Sequence, residues 1–267
     1  MPTVPAPSPY AQDGHRLRCD WGPAGADAVA PDAAVVAVVD VLSFTTTVSV
    51  AVERGVTVFP YPWRDASAAA FAREHDAVLA VGRSQVAGPG RVSLSPASIR
   101  AAAGLTRLVL PSPNGSALSE KLGRSGATVI AVCLRNASAA AAWTRLLLHD
   151  RPDAVVAVVA AGERWPDGSL RPAAEDLWGA GAFLSALDAP ADLSPEAAIA
   201  VAAHAHARDR LPALLHDCAG GRELIGYGFA ADVAIAAEVD STDTVPLLTH
   251  AAFTPAPRHE LTPTRRS

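Results

Sequence analysis

The sequence has little of several features that mark whole classes of protein. Its three cysteines, Cys19, Cys133 and Cys218, lie about a hundred residues apart, which fits neither a disulfide framework nor a zinc site. Only 5% of the residues are aromatic, the formal net charge is −5, and there is no long basic run. These are not the features of a nucleic-acid binder, so we expect no nucleic-acid partner.

Long apolar runs are also missing. No stretch reaches the roughly 18 residues of a membrane span without an Asp, Arg or Pro in it, and the N-terminus lacks the apolar core of a signal peptide. The sequence therefore predicts a cytoplasmic protein with no membrane partner. It leaves a homo-oligomer open.

Short apolar runs rich in β-branched residues are present, and each is followed by a polar turn and an alanine-rich helical stretch. Continuous hydrophobicity in these runs predicts strands that are buried on both faces, at 33–39, 56–61, 77–82, 106–111, 127–133 and 153–162. Helices are predicted at about 45–54, 65–75, 115–123, 136–149 and 173–187. The alternation predicts an α/β fold with three α/β/α layers around a mostly parallel sheet.

The remaining chain predicts one more helix and two tails. Ser194 and Pro195 are typical of a helix start, and a last ordered element is expected near Val245–Phe253. Both ends are rich in proline and polar residues. We expect flexible tails at 1–14 and 254–267 and a single domain at 15–253.

Four polar turns follow predicted strands, where ligands bind in open parallel sheets. The first places Asp40 at a strand end and then Ser43, Thr45, Thr46 and Thr47 at a helix start. Hydroxyl and N–H groups there suit an anion, and the carboxylate suits a cation. The alternative is that Asp40 is a turn residue and Thr45 a helix cap.

The second and third turns carry amide side chains. Asn114, Gly115 and Ser116 precede a helix in a way that suits an oxyanion, although Asn-Gly is also a common turn dipeptide. Asn136 follows Arg135 and is either a ligand contact or a helix cap, with the cap favoured.

The fourth turn is acidic. Glu163 ends a strand, and Glu175 and Asp176 begin a helix, where only one of these two neighbours can face a given site squarely. Together with Asp40 they form the oxygen-rich set that Mg²⁺ uses when it also binds a phosphate. The motifs of serine hydrolases, P-loop NTPases and zinc proteases do not occur.

Taken in order, these segments resemble the 2-phosphosulfolactate phosphatases, a family of Mg²⁺-dependent enzymes. The matching segments are VVDVLSFTTTVSVAVERG, SPNGSAL, the helix start at Asn136, GERWPDGSLRPAAEDLWGAGAFL and GRELIGYGFAADVAIAAEVDSTDTVPLL, within about residues 33–250. The family pattern has an arginine where this chain has Ser43. Arg83 is the candidate to supply that positive charge.

The resemblance implies a Mg²⁺-dependent phosphatase that hydrolyses a small anionic phosphorylated hydroxy acid. Asp40, Glu163 and Asp176 are the expected catalytic residues, and with Glu175 they are the expected metal ligands. The expected phosphate or substrate contacts are Ser43, Thr45, Thr46, Thr47, Arg83, Asn114, Gly115, Ser116 and Asn136. A non-catalytic anion-binding or regulatory module on the same scaffold is the alternative, and the nucleophile is either water or Asp40.

Overall fold

The computed structural model describes residues 8–62, 65–83 and 92–257 and consists of eleven strands and eleven α-helices in these ranges. The strands are β1 Leu17–Trp21, β2 Ala33–Val39, β3 Thr57–Tyr61, β4 Val78–Leu79, β5 Arg107–Pro111, β6 Thr128–Val132, β7 Val155–Ala160, β8 Glu163–Arg164, β9 Leu170–Arg171, β10 Pro246–Thr249 and β11 Ala252–Pro255. The helices are α1 Gly22–Val29, α2 Phe44–Glu53, α3 Ala66–Glu74, α4 Pro96–Ala101, α5 Gly115–Leu122, α6 Ala137–Leu147, α7 Ala174–Ala186, α8 Pro195–Ala207, α9 Leu211–Asp217, α10 Ala219–Gly226 and α11 Ala230–Ala236.

Nine strands form one sheet, in the order β1-β7-β2-β6-β10-β11-β3-β5-β4. The β1–β7, β7–β2, β2–β6, β3–β5 and β5–β4 pairs are parallel, and the β10–β11 hairpin is antiparallel to both of its neighbours. Strands β8 and β9 form a separate small hairpin. The sheet is therefore mostly parallel, as the sequence predicts.

Strand β2 shows how the layers arise. Alternate side chains of a strand point to opposite faces. Val35 and Val39 belong to the hydrophobic core that includes residues of α6, α7 and α8, whereas Val36 and Val38 belong to the core that includes α1 and α5. These four valines are fully buried, which stabilises the fold by about 1.5–3 kcal/mol each. The three-layer α/β/α architecture is confirmed.

The predicted strands and helices all occur, with ends that differ by a few residues, except that β4 is only two residues long. Ser194 caps α8 by accepting a hydrogen bond from the Ala197 N–H (3.0 Å). The additions to the prediction are strand β1, the β8–β9 hairpin and helices α1, α4, α9, α10 and α11. Within the described ranges, no helix has the length and apolarity needed to span a bilayer.

The chain packs onto the sheet before residue 15, where the N-terminal tail was expected to end. The Gln12 side chain is buried, donates to the Cys19 carbonyl (2.8 Å) and accepts from its N–H (3.0 Å). At the other end, β11 continues to Pro255. Residues 1–7 and 258–267 lie outside the described residues, and the single-domain division stays a prediction.

Candidate active site

The carboxylate of Asp40 joins the first two polar turns. It follows β2, and its Oδ1 accepts a hydrogen bond from the N–H of Phe44 (3.0 Å), at the start of α2. Its Oδ2 accepts one from the N–H of Gly115 (3.0 Å), at the start of α5. A Cβ at position 115 would lie 2.3 Å from the Phe44 ring, so only glycine permits this approach.

Asp176 joins the first turn to the fourth. Its Oδ1 accepts from the N–H of Val41 (2.7 Å) and its Oδ2 from the N–H of Gly162 (2.9 Å). The neighbouring Glu175 is also buried but points elsewhere: its carboxylate lies so close to α10 that a Cβ at Gly220 would be 2.2 Å from Oε1. Of the two acidic neighbours, Asp176 is the one that contacts the strand-end turns.

Glu163 joins the fourth turn to the second, because its Oε2 accepts a hydrogen bond from Asn114 Nδ2 (3.0 Å). It also lines a pocket of about 500 Å³. The other residues that line this pocket are Leu42, Arg83, Gly220, Glu223, Leu224, Tyr227 and Phe229. Three of the four polar turns therefore meet at one edge of the sheet.

Burial makes these carboxyl groups unusually basic. It raises the pKa of Asp40 to about 6 and is the main cause that raises the pKa of Glu163 to about 7, with the Asp40 charge as the second cause. Burial, and then repulsion from Asp40 and Glu175, holds the pKa of Asp176 well above its usual range. Carboxylates that repel one another in a buried place suit either a bound cation or proton transfer near neutral pH.

The three threonine hydroxyls have partners other than the predicted anion. Thr45 Oγ1 donates to the Asp40 carbonyl (2.7 Å), Thr46 Oγ1 to the Val41 carbonyl (2.7 Å) and Thr47 Oγ1 to the Leu94 carbonyl (3.0 Å). All three side chains are fully buried. In this structure they hold backbone carbonyls in place, and the contact of these hydroxyls with a phosphate stays a prediction.

Ser116 and Asn136 are likewise bonded to the backbone. Ser116 Oγ donates to the Leu110 carbonyl (2.7 Å), and the Asn136 amide accepts from the Cys133 N–H (2.9 Å) and donates to the Ala131 carbonyl (3.1 Å). Both side chains are completely buried. In this structure they shape the ends of β5 and β6, and their contact with a substrate stays a prediction.

Arg83 reaches the position that the sequence suggested for it. Its Nη2 donates to Ser43 Oγ and to the Leu94 carbonyl (3.3 Å), and its Nε donates to Asp232 Oδ2 (3.2 Å). The guanidinium also lies over the Phe229 ring, 5.5 Å from the centroid. A positive charge therefore stands beside Ser43.

Sequence reasoning missed several residues around the pocket. Asp232 forms an ion pair with Arg83. Tyr227 and Phe229 line the pocket beside Arg83. Arg171 lies opposite Glu163 in the β8–β9 hairpin. The charge of Arg171 acts to lower the pKa of Glu163. The sequence signal for Asp232 is a carboxylate in the first turn of an otherwise apolar helix. Its partner Arg83 lies 149 residues away along the chain, so no local pattern links the two.

Comparisons with known proteins agree on one family. The family model described as 2-phosphosulpholactate phosphatase matches residues 25–251. A protein of Thermus thermophilus named "Probable 2-phosphosulfolactate phosphatase" is 33% identical over 238 residues, which cover 87% of this chain and 94% of the relative. The matched region contains Asp40, Glu163, Glu175 and Asp176, and the chain belongs to the 2-phosphosulfolactate phosphatase family.

Proposed function

We propose that this protein is a Mg²⁺-dependent phosphatase that hydrolyses a small phosphorylated hydroxy acid, of the kind that the names of its family and its relative specify. The observation that carries the proposal is the meeting of Asp40, Glu163 and Asp176. They come from separate turns and are held by hydrogen bonds from the backbone of those turns and from Asn114. A module that only bound anions would gain nothing from burying carboxylates there, because they repel its ligand.

The donor set fits Mg²⁺, although the described residues contain no ready cage of three or more His, Cys, Asp or Glu side chains. Mg²⁺ is usually held by one or two carboxylates together with waters and substrate phosphate. Asp40 and Asp176 would hold it, because Asp40 is the charge that acts most strongly on Asp176. Each of their four oxygens accepts one hydrogen bond from the described residues and has a second lone pair for an ion. When bound, the ion would neutralise the phosphoryl oxygens.

Glu163 is the residue with the properties of a general base. Its Asn114 bond fixes one carboxylate oxygen, it lines the pocket, and its pKa of about 7 matches neutral pH. Glu163 takes a proton from a water molecule while the water oxygen bonds to phosphorus. The bond from phosphorus to the ester oxygen breaks, and the departing alkoxide takes a proton from solvent.

Water is preferred to Asp40 as the nucleophile. Both Asp40 oxygens accept a backbone N–H, so the carboxylate is fixed in orientation and stabilised in its anionic form. Asn114, which is bonded to Glu163, is the side chain of the predicted set that stands on the carboxylate side of the pocket for a phosphoryl oxygen. The transition-state charge would be met by this amide and by the bound ion.

Phosphate release from 2-phosphosulfolactate and 2-phospholactate tests the proposal. We expect turnover by the native protein with Mg²⁺, loss of turnover in EDTA and recovery when Mg²⁺ is restored. Asp40→Asn should lower kcat/KM by a factor of about a hundred or more. The matched control is Asp27→Asn, since Asp27 is exposed and pairs with Lys121 (2.6 Å) on the surface.

The results separate the parts of the proposal. Turnover that survives EDTA would contradict the role of Mg²⁺. Release of no phosphate from either ester under any metal condition would contradict the phosphatase and favour a binding module.

A further inference from the structure

Arg83 is held along one edge of its guanidinium. Nε and Nη2 contact Asp232, Ser43 and Leu94, while Nη1 makes no hydrogen bond to any residue in the described part of the chain. The side chain is 19% exposed and lines the pocket. One edge is therefore fixed by the protein and the other is available to a ligand.

Asp232 is itself fixed before it meets Arg83. It is 1% exposed, and its Oδ1 accepts hydrogen bonds from Ser95 Oγ (2.5 Å) and from the N–H of Ala97 (3.3 Å), at the start of α4. Its Oδ2 then faces Arg83 Nε. A carboxylate anchored in this way restricts the guanidinium to one orientation, whereas a free arginine has many rotamers to lose on binding.

The pocket has two chemically different sides. Glu163 belongs to the side formed by the β8–β9 hairpin and α5, through its bond to Asn114. Arg83 belongs to the side formed by α4 and α11, through Asp232 and Phe229. The proposed function puts the phosphoryl group beside the carboxylates, so another part of the same substrate meets the guanidinium.

We infer that Asp232 is a positioning residue that aims Arg83 at the non-transferred acid group of the substrate, a carboxylate or a sulfonate. The inference rests on the proposed function and assigns the substrate a second anion. It predicts that Asp232 affects the binding of the acid group and leaves the phosphoryl end alone.

The inference is tested by measuring the dissociation constants of two probes by calorimetry. Sulfolactate, the alcohol that hydrolysis of 2-phosphosulfolactate would leave, carries the acid groups, and inorganic phosphate represents the transferred end. In Mg²⁺ buffer, Asp232→Asn should raise the Kd for sulfolactate about tenfold and the Kd for phosphate by less than about twofold. The double variant with Asp232→Asn and Arg83→Gln should have almost the same Kd for sulfolactate as Arg83→Gln alone, because the two residues act as one unit.

Asp240→Asn is the matched control. The Asp240 carboxylate also accepts from a helix-start N–H and a serine hydroxyl, those of Ser138 (2.9 and 2.7 Å), but it lies outside the pocket lining. It should leave both constants unchanged. If Asp232→Asn does not fold, Arg83→Lys replaces it: lysine keeps the charge but cannot make the forked contacts, so sulfolactate binding should still weaken.

Four results would overturn the inference. They are equal weakening of phosphate binding, additive effects of the two substitutions, full sulfolactate binding by Arg83→Lys, and failure of the native protein to bind sulfolactate. The binding measurement needs no turnover. A native protein that binds sulfolactate but releases no phosphate would contradict the proposed function, and the Kd values of the variants would still decide the role of Asp232.

Discussion

The position of the Asp40 carboxylate depends on two backbone N–H groups and on one glycine. Its two oxygens accept N–H groups from the starts of two different helices, α2 and α5. The second approach requires Gly115, because a Cβ there would lie 2.7 Å from Asp40 Oδ2. A glycine that a sequence pattern shows as an ordinary turn residue is thus needed for close packing of a helix start against a carboxylate.

The pH dependence of the rate tests the role of Glu163. A general base works only when deprotonated, so kcat/KM should fall as the pH falls through the pKa of Glu163, which is about 7 without a bound cation. Higher Mg²⁺ concentrations should move this limb to lower pH, because a nearby cation favours the carboxylate. Glu163→Gln should remove the limb and lower kcat by a factor of about a hundred.

The control for this experiment is Glu120→Gln. Glu120 lies on α5 and pairs with Arg124 outside the active-site pocket, so this variant should keep the native pH profile. A profile that Glu163→Gln leaves unchanged would show that another group takes the proton.

The carboxylates were predictable from the sequence, but the partners of the hydroxyls were not. Asp40 follows β2 directly and Glu163 comes shortly after β7, and parallel strands bring such residues to one edge of the sheet. The sequence also places Thr46 there, but whether a hydroxyl donates to a ligand or to a carbonyl depends on distances that no linear pattern contains. The contact between Arg83 and Asp232 is equally invisible, because it joins distant segments.

At the scale of the element, the turn between β2 and α2 is held by hydrogen bonds within it and from neighbouring segments. The Thr45 and Thr46 hydroxyls donate to carbonyls of the same turn, and the Thr45 N–H adds a bond to the Asp40 carbonyl (2.8 Å). The Thr47 hydroxyl ties the helix start to the Leu94 carbonyl. Asp176 fixes the turn from outside through the Val41 N–H. The turn therefore presents Asp40 from a rigid backbone.

Thr46→Val tests whether the hydroxyls hold the turn or bind the substrate. The valine keeps the shape but leaves the buried Val41 carbonyl without its 2.7 Å donor. The free energy of unfolding should fall by about 1–3 kcal/mol. Measured by urea denaturation and steady-state kinetics, the loss should appear in stability, with KM little changed.

Thr249→Val is the comparison variant, because among the described residues the hydrogen-bond partner of the Thr249 hydroxyl is another hydroxyl, that of Thr254 (3.3 Å). Its effect on stability should stay under about 0.5 kcal/mol. A large rise in KM for Thr46→Val without loss of stability would favour the anion-binding role that the sequence predicts.

At the scale of the whole molecule, the alternation of apolar runs and helices was sufficient to predict the parallel sheet. Strand β1 escaped prediction because Arg18 and Asp20 interrupt its apolar character. The β10–β11 hairpin, which lies between β6 and β3, has only four residues in each strand and pairs with each neighbour at a single position. Such short pairings depend on the sheet around them, which local sequence does not encode.

In the proposed function, the turns after β2, β5 and β7 form one Mg²⁺ and phosphate site. A crystal structure of the protein grown with Mg²⁺ and phosphate would show where the two bind. We predict an ion about 2.1 Å from oxygens of Asp40 and Asp176, with a phosphate oxygen in its coordination shell and Glu163 facing the phosphorus. Phosphate bound away from these turns, or at the carboxylates without an ion, would contradict the proposed site.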